Sequence, residues 1–427
     1  MLSKKPIPFL DLVLSISEAT DLIDAELNNH NKRVAFTSLN IADSLGLPNN
    51  FKYNLIIAGL LHDIGSFSLK ERREILNYDY QPEHPTNNHS YIGYVMLKDF
   101  YPLSEIASII KFHHHFWKDI EDLELPETLK LSAQIIHIAD RIDVLIDRNR
   151  DILSQVSDIC HVIKKGSRVR YRPDIIENIT NLKNKEYFWL DAVSQPEIST
   201  FTDKLGYLPL DFEIDLIDKF ANMFSHIIDF RSPFTATHSS GVTATAEFLA
   251  RAMDFSDNEV FMMKIAGYLH DLGKLSVPSE ILDKAAGLND KEFRIIRSHT
   301  YYTYRILENI TNLETINSWA AFHHETLDGN GYPFHLDERE LSLGSRIMAV
   351  ADIFTAITED RPYRKGMNKK DSLKVLNNMV KNNKIDSNIV AKVNENFNEI
   401  SEAREKSETR AKKYYKEYRS IFNTQPN

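Results

Sequence analysis

The chain has 427 residues, 42% of them hydrophobic and 26% charged, with 14 Gly and 15 Pro. That is enough apolar material for two cores and too much for a disordered chain. The formal charge of −10 excludes a broad electrostatic grip on duplex nucleic acid, although a few cations can still reverse the sign around a small anionic ligand.

In chain order, Met1 to Ser17 holds a short apolar run that Asp11 interrupts and that no small-residue cleavage site follows, so it is not expected to be a signal peptide. His30-Asn31-Lys32-Arg33-Val34 leads into Ile41 to Leu47, a helical apolar spacing that ends at Gly46. The runs Asn54 to Leu61, Glu105 to Phe112 and Leu129 to Ile146 carry apolar residues at i, i+3, i+4 and i+7, the stripe of a buried helix face. Cys160 is the single cysteine, which excludes a disulfide framework and a Cys-based zinc or redox motif and suits a reducing cytoplasm. Pro196, Gly206 and Pro209 break the helical pattern between Val193 and Leu210, which predicts two domains, 1–195 and 210–427. His238 then leads into another helical stretch, Ala246 to Ala252. Beyond Gly366 the chain is highly charged. Asn394 to Tyr418 reads as an amphipathic or solvated helix with Glu402, Arg404, Glu405 and Lys406 on its surface, a cap or partner-facing helix rather than a catalytic element. No run alternates with period two, and none approaches the roughly 18 uncharged apolar residues that span a bilayer. The expected class is all-α, with no membrane span.

The two halves repeat each other. Leu61-His62-Asp63-Ile64-Gly65 and Leu269-His270-Asp271-Leu272-Gly273 lie 208 residues apart, as do His30 and His238. His89 and His299 are 210 apart, as are His113-His114 and His323-His324; Asp140 and Asp352 are 212 apart. A drift of four residues over such a span is what a duplication with two small insertions leaves.

In the second half, His238, His270, Asp271, His299, His323, His324 and Asp352 are five imidazoles and two carboxylates at predicted helix ends or turns. This donor set suits Fe(II) or Mn(II) and tolerates Zn, Ni or Mg. Seven ligands are too many for one tetrahedral site but fit two adjacent divalent ions with one carboxylate bridging, a standard device for phosphoester cleavage. Any one of these histidines alone reads as a core or surface histidine. The adjacent His-Asp and His-His pairs, present in both halves, argue otherwise.

His238…His270-Asp271…Asp352 resembles the signature of the HD superfamily of metal-dependent phosphohydrolases. His270-Asp271-Leu272-Gly273-Lys274, with His323-His324-Glu325 running on to Gly329-Asn330-Gly331-Tyr332-Pro333, resembles the HD-GYP family over roughly Leu210 to Glu395. The tandem arrangement is similar to that of phosphodiesterases acting on 3′,3′-cyclic GMP-AMP. The resemblance implies hydrolysis of cyclic di-GMP or 3′,3′-cyclic GMP-AMP to a linear dinucleotide with a 5′ phosphate, and in some members onward to mononucleotides. It also implies that His238, His270, Asp271 and Asp352 hold one metal, with Asp271 bridging, and that His299, His323 and His324 hold the other. Lys274 would face the scissile phosphate or leaving oxygen, and Arg361 and Arg364 would bind phosphate. The glycines of the loop allow positive φ, and Tyr332 can pack against ligand or helices. Three positions depart from the family pattern. Phe234 stands where members with a third metal carry Glu, so two metals are expected. Thr355 and Ser232 replace common Asp residues, Thr355 with an expected cost to support of the site or to the contact with Lys274.

The first half keeps His30, His62, Asp63, His89, His113, His114 and Asp140, so it could hold metal too. It has Ser66 in place of Lys274, no Gly-Tyr-Pro loop, and Asn149 and Ile152 where the arginines would be. Glu26 sits four residues before His30, at the third-metal spacing, though a plain exposed helix Glu is the better reading there. This half reads as an inactive partner pairing with and regulating the second, as a phosphatase trimming the linear product, or as a sensor. For the whole chain, a signalling scaffold and a general HD nucleotidase or (p)ppGpp-type hydrolase compete with the phosphodiesterase. The retained Lys274, Arg361, Arg364 and Gly-Tyr-Pro loop argue against the scaffold, and the intact Gly-Tyr-Pro segment argues against the general hydrolase. Oligomeric state, including a homodimer, is left open.

Overall fold

A computed structural model describes residues 7–21, 29–66, 88–194, 201, 211–212, 214–230, 237–282, 284, 287–360 and 364–423. The chain divides into two compact units, Ile16–Leu210, and Asp211–Asn427 together with Met1–Ser15. The fold is all-α, as expected. The one pairing of named strands among the described residues joins two dipeptides antiparallel, β1 (Ile7–Pro8) and β2 (Asp211–Phe212).

The helices of the first stretch are α1 (Phe9–Asp21), α2 (His30–Ser44), α3 (Asn49–Leu61), α4 (Asn88–Leu97), α5 (Ser104–Phe112) and α6 (Glu127–Leu145). Three shorter ones follow, α7 (Val156–Lys165), α8 (Pro173–Leu182) and α9 (Glu186–Ala192). Leu55 to Leu61 of α3 are buried without a break, so this helix is central to its unit and delivers His62 at its end. On α6, Ile135, Ile136, Ile138, Ala139 and Ile142 are fully buried and carry Asp140 into the same interior.

The second unit repeats the plan with α10 (Ile214–Phe230), α11 (His238–Ala252), α12 (Asp257–Leu269), α13 (Asp290–Glu308), α14 (Glu314–Ala321) and α15 (Leu343–Thr358). It adds α16 (Lys369–Lys381), α17 (Ser387–Glu395) and α18 (Phe397–Asn423). Capping boxes start α12 (Ser256 with Glu259) and α13 (Asn289 with Glu292), which fixes where the helices bearing His270 and His299 begin.

The charged tail is an amphipathic helix, as read from sequence, but one of its surface assignments is wrong. Ile400, Arg404 and Ala411 form a buried stripe along α18, and Ser407 Oγ donates to the carbonyl of Ser240 on α11 at 2.9 Å. Arg404, expected on the surface, is 4% exposed. Its partner α11 opens His238-Ser239-Ser240-Gly241-Val242-Thr243, small side chains that let a second helix approach closely.

Candidate metal centre

Seven side chains converge in the second unit. His238 is the first residue of α11. His270 and Asp271 follow α12, His299 lies in α13, His323 and His324 follow α14, and Asp352 lies in α15. All but the partly exposed His324 are buried. Asp271 stands between two groups: Oδ2 is 3.2 Å from His270 Nε2, while Oδ1 is 3.4 Å from His299 Nε2 and 3.9 Å from His323 Nε2. His238, His270 and Asp352 present ligand atoms within 4.8 Å of one another, and so do His299, His323 and His324.

The tautomers are set locally. His270, His299 and His323 each place Nδ1 2.6–2.8 Å from the backbone carbonyl three residues earlier, where it donates. Their Nε2 lone pairs then face the interior. His299 Nε2 and His323 Nε2 are 3.3 Å apart, and His270 Nε2 is buried with no hydrogen-bond partner. Two buried lone pairs that close repel unless a cation lies between them, so the donor set fits divalent metal. Burial keeps His299, His323 and His324 neutral: it pushes His299 down to about 3 and the other two below the ordinary range. Burial pushes Asp271 up, but His270, Lys274 and His299 outweigh it and hold the carboxylate well below its usual range. Burial lowers His238, yet Glu359 and Asp352 raise it to about 10, a negative field that a cation beside Nε2 would answer equally well.

Lys274 is half-buried, with Nζ 2.5 Å from Asp271 Oδ2. Next to it, Gly273 leaves no room for a side chain: a Cβ would lie 1.8 Å from the carbonyl oxygen of His299. The Gly-Tyr-Pro loop is pinned by Glu325, whose buried carboxylate accepts from the backbone N–H groups of Phe334, His335 and Leu336 at 2.7–3.2 Å. Gly329 has φ +71°, whereas Gly331 is required for closeness, since a Cβ there would meet Glu325 Cα at 2.4 Å. The Tyr332–Pro333 peptide is cis. Tyr332 packs on His324 at 4.9 Å, and the Arg297 guanidinium lies over its ring at 4.6 Å. Arg364 is exposed and donates to the Ala356 carbonyl, while Thr355 is buried beside Thr245. Arg361, Ser232, Phe234 and Glu26 lie outside the described residues.

The first unit assembles the same way. His30, His62 and Asp140 form one close group and His89, His113 and His114 another. Asp63 lies 3.7 Å from His62 Nε2 and 3.5 Å from His89 Nε2. The Ser66 hydroxyl is buried where Lys274 stands in the other copy.

The sequence reading passes over four buried carboxylates and one cation. Glu359 and Asp143 meet the first histidine of each set. Asp229, which burial pushes up to about 7, accepts from Ser239 at 2.8 Å, and its partner at the 208 offset is the buried Asp21. That offset was a usable signal for this pair. Arg297, two residues before His299, had none.

A family model described as an HD domain matches residues 222–389, and a second of the same description matches 28–145. A 3′3′-cGAMP-specific phosphodiesterase 1 of Vibrio cholerae is 28% identical over 389 residues, 88% of each chain. A 3′3′-cGAMP-specific phosphodiesterase 3 of the same species is 33% identical over 56% of this chain and 52% of its own. A cyclic di-GMP phosphodiesterase of Pseudomonas aeruginosa is 39% identical over 33% of this chain and 34% of its own. A crystal structure of a cyclic GMP-AMP specific phosphodiesterase from V. cholerae shares the fold with a TM-score of 0.64 at 22% identity, covering 92% of this chain and 98% of that one.

Proposed function

Because this chain belongs to the HD-domain family and carries the domain in each half, we propose that its second half is a metal-dependent phosphodiesterase that opens 3′,5′-cyclic dinucleotides. The observation that carries this reading is Asp271, whose two oxygens address two separate three-ligand groups 3.2–3.9 Å away. His238, His270 and Asp352 would hold one divalent ion and His299, His323 and His324 the other, with Asp271 shared and Fe or Mn as the favoured metals. Such a pair, when bound, supplies Lewis acidity toward a phosphoryl oxygen and lowers the pKa of water. Lys274 contributes a fixed positive charge beside Asp271, suited to a phosphoryl oxygen or to the departing 3′ oxygen. Tyr332, held between His324 and Arg297, offers a face for a base or sugar. Arg361 and Arg364 remain candidates for the second phosphate.

Among substrates, 3′,3′-cyclic GMP-AMP comes first, because the relative matched along both halves is named for it; cyclic di-GMP comes second. The domain limits 1–195 and 210–427, and a cytoplasmic site of action, belong to the same reading. No helix among the described residues is long and apolar enough to cross a membrane. The first half, lacking Lys274 and the Gly-Tyr-Pro loop, holds metal without cutting the cyclic ligand and supports the second.

The test is hydrolysis of both cyclic dinucleotides by purified protein loaded with Mn(II) or Fe(II), read by chromatography. His270→Ala and Asp271→Ala abolish turnover, while His62→Ala leaves the first cleavage largely intact. No product from either nucleotide with a metal-loaded wild-type chain would overturn the reading.

A further inference from the structure

Five imidazoles of the two candidate centres, His62, His113, His270, His299 and His323, settle Nδ1 on the backbone carbonyl three residues before them. His30 and His238 stand differently, each as the first residue of its helix. The preceding backbone does not continue the helical wall: Asn29 has φ 61° and Thr237 has φ −130°. Their Nδ1 atoms find an acceptor in a side-chain carboxylate instead.

In the first unit that acceptor is Asp143, three residues after Asp140 on α6, at 2.7 Å from His30 Nδ1. Two arginines hold it: Arg33 Nε and Arg148 Nη2 donate to its oxygens at 2.7 and 2.8 Å. The 212-residue offset that takes Asp140 to Asp352 takes Asp143 to Thr355, which has no carboxylate. The 208 offset takes Arg33 to Gly241, which has no cation. A Cβ at Gly241 would lie 2.7 Å from Glu408 Oε1 and 3.0 Å from Thr355 Cγ2, so the space that Arg33 fills in one copy is taken by α18 in the other. A carboxylate at 355 would face Glu408, whose Oε1 is already engaged by Arg404.

The second unit solves this one turn later. Glu359, directly after α15 and 4% exposed, brings Oε2 to 3.2 Å from His238 Nδ1, while His238 Nε2 lies 3.1 Å from Asp352 Oδ1. We infer that Glu359 is a positioning residue of the metal centre, taking the Nδ1–H of His238 so that Nε2 is aimed at the metal side, the task Asp143 performs for His30. The loss of Asp at 355 is thus answered within the same segment of chain, and the support expected to be weakened there is restored from four residues downstream. This inference rests on the proposed metal reading of His238. Carboxylates in this position orient and strengthen a histidine ligand, and their removal costs metal affinity.

The test titrates the metal-stripped full chain with Mn(II) and follows the free ion by electron paramagnetic resonance. The binding lost in His238→Ala defines the site. Glu359→Ala weakens that same binding by about 10–100-fold, while Glu359→Gln, whose amide oxygen still accepts from Nδ1–H, stays close to wild type. Should Glu359→Ala fail to fold, Glu359→Met keeps the side-chain volume without an oxygen and carries the same comparison. Wild-type affinity in the variant without an oxygen, when His238→Ala has lost the site, overturns the inference. If His238→Ala also binds as wild type does, the metal reading of His238 fails, and this inference falls with it.

Discussion

Gly273 lies so close under His299 that any side chain at 273 would enter the backbone of α13, with a Cβ 1.8 Å from the His299 carbonyl oxygen and 2.6 Å from the Thr303 nitrogen. The turn carrying Asp271 and Lys274 is therefore locked to the helix carrying His299, and the Gly273 N–H reinforces it by donating to Thr303 Oγ1 at 2.9 Å. Gly65 makes the same approach to His89, at 2.2 Å.

Gly273→Ala is expected to push this turn off α13, because the obstructing atoms are backbone and cannot rotate away. The cost is about 1–3 kcal/mol or more in stability, read as a lower thermal midpoint, with loss of metal binding at the second centre. Gly65→Ala does the same to the first centre only. A Gly273→Ala protein with wild-type metal content would show that this close approach does not set the site.

Lys274 separates charge at the reacting phosphate from support of the metals. Removing its charge as Lys274→Met is expected to lower kcat about 10²–10³-fold while the protein keeps most of its metal, measured by elemental analysis beside steady-state kinetics. Equal loss of metal and activity would instead make Lys274 a structural counter-ion of Asp271, which lies 2.5 Å away.

Much of this was legible in the sequence, for identifiable reasons. Apolar residues at helical spacing and the absence of period-two runs pointed to an all-α fold. Constant offsets between His-Asp and His-His pairs exposed the duplication, and the same near-constant offsets picked out the solitary ligands His238, His299 and Asp352. Glu359 was not readable, since its role exists only because Thr355, Gly241 and Glu408 meet in space from three separate helices. Arg404 was misjudged for a related reason. Among Glu402, Glu405 and Lys406 it looks solvated, and only the small residues of α11 show that a helix packs there.

Arg404 and Glu408 form a pair inside that packing, with Nη1 2.5 Å from Oε1 and the guanidinium side chain 5% exposed. Burial pushes the Glu408 carboxyl up, and the arginine opposes it. Arg404→Met leaves a largely buried carboxylate without its cation, which is expected to cost on the order of 3 kcal/mol. Arg404→Met/Glu408→Gln should recover much of the loss. Denaturant unfolding of the wild type, both single variants and the double variant closes the cycle, and strict additivity would sink the pairing argument.

His226 on α10 supplies a pH dependence away from the metal ligands. It stacks on Tyr414 of α18, with ring centroids 4.7 Å apart and planes at 28°, and burial pushes it down from 6.5 to about 4. Between those values the unfolded chain binds the proton and the folded chain does not. Stability from this residue is therefore fully present above pH 6.5, falls as pH drops toward 4, and changes no further below that. A shift of this size corresponds to roughly 3 kcal/mol at full burial, and partial exposure of the ring trims it to about 2 kcal/mol. His226→Phe keeps the stacking surface and removes the titration. Denaturant unfolding at pH 7.5, 6.5, 5.5 and 4.5 should give nearly equal stabilities for the two proteins at the top of the range, with the wild type falling more steeply below. Parallel curves for wild type and His226→Phe would mean that the ring takes up its proton without leaving Tyr414, and that the acid sensitivity of this unit lies in its carboxylates instead.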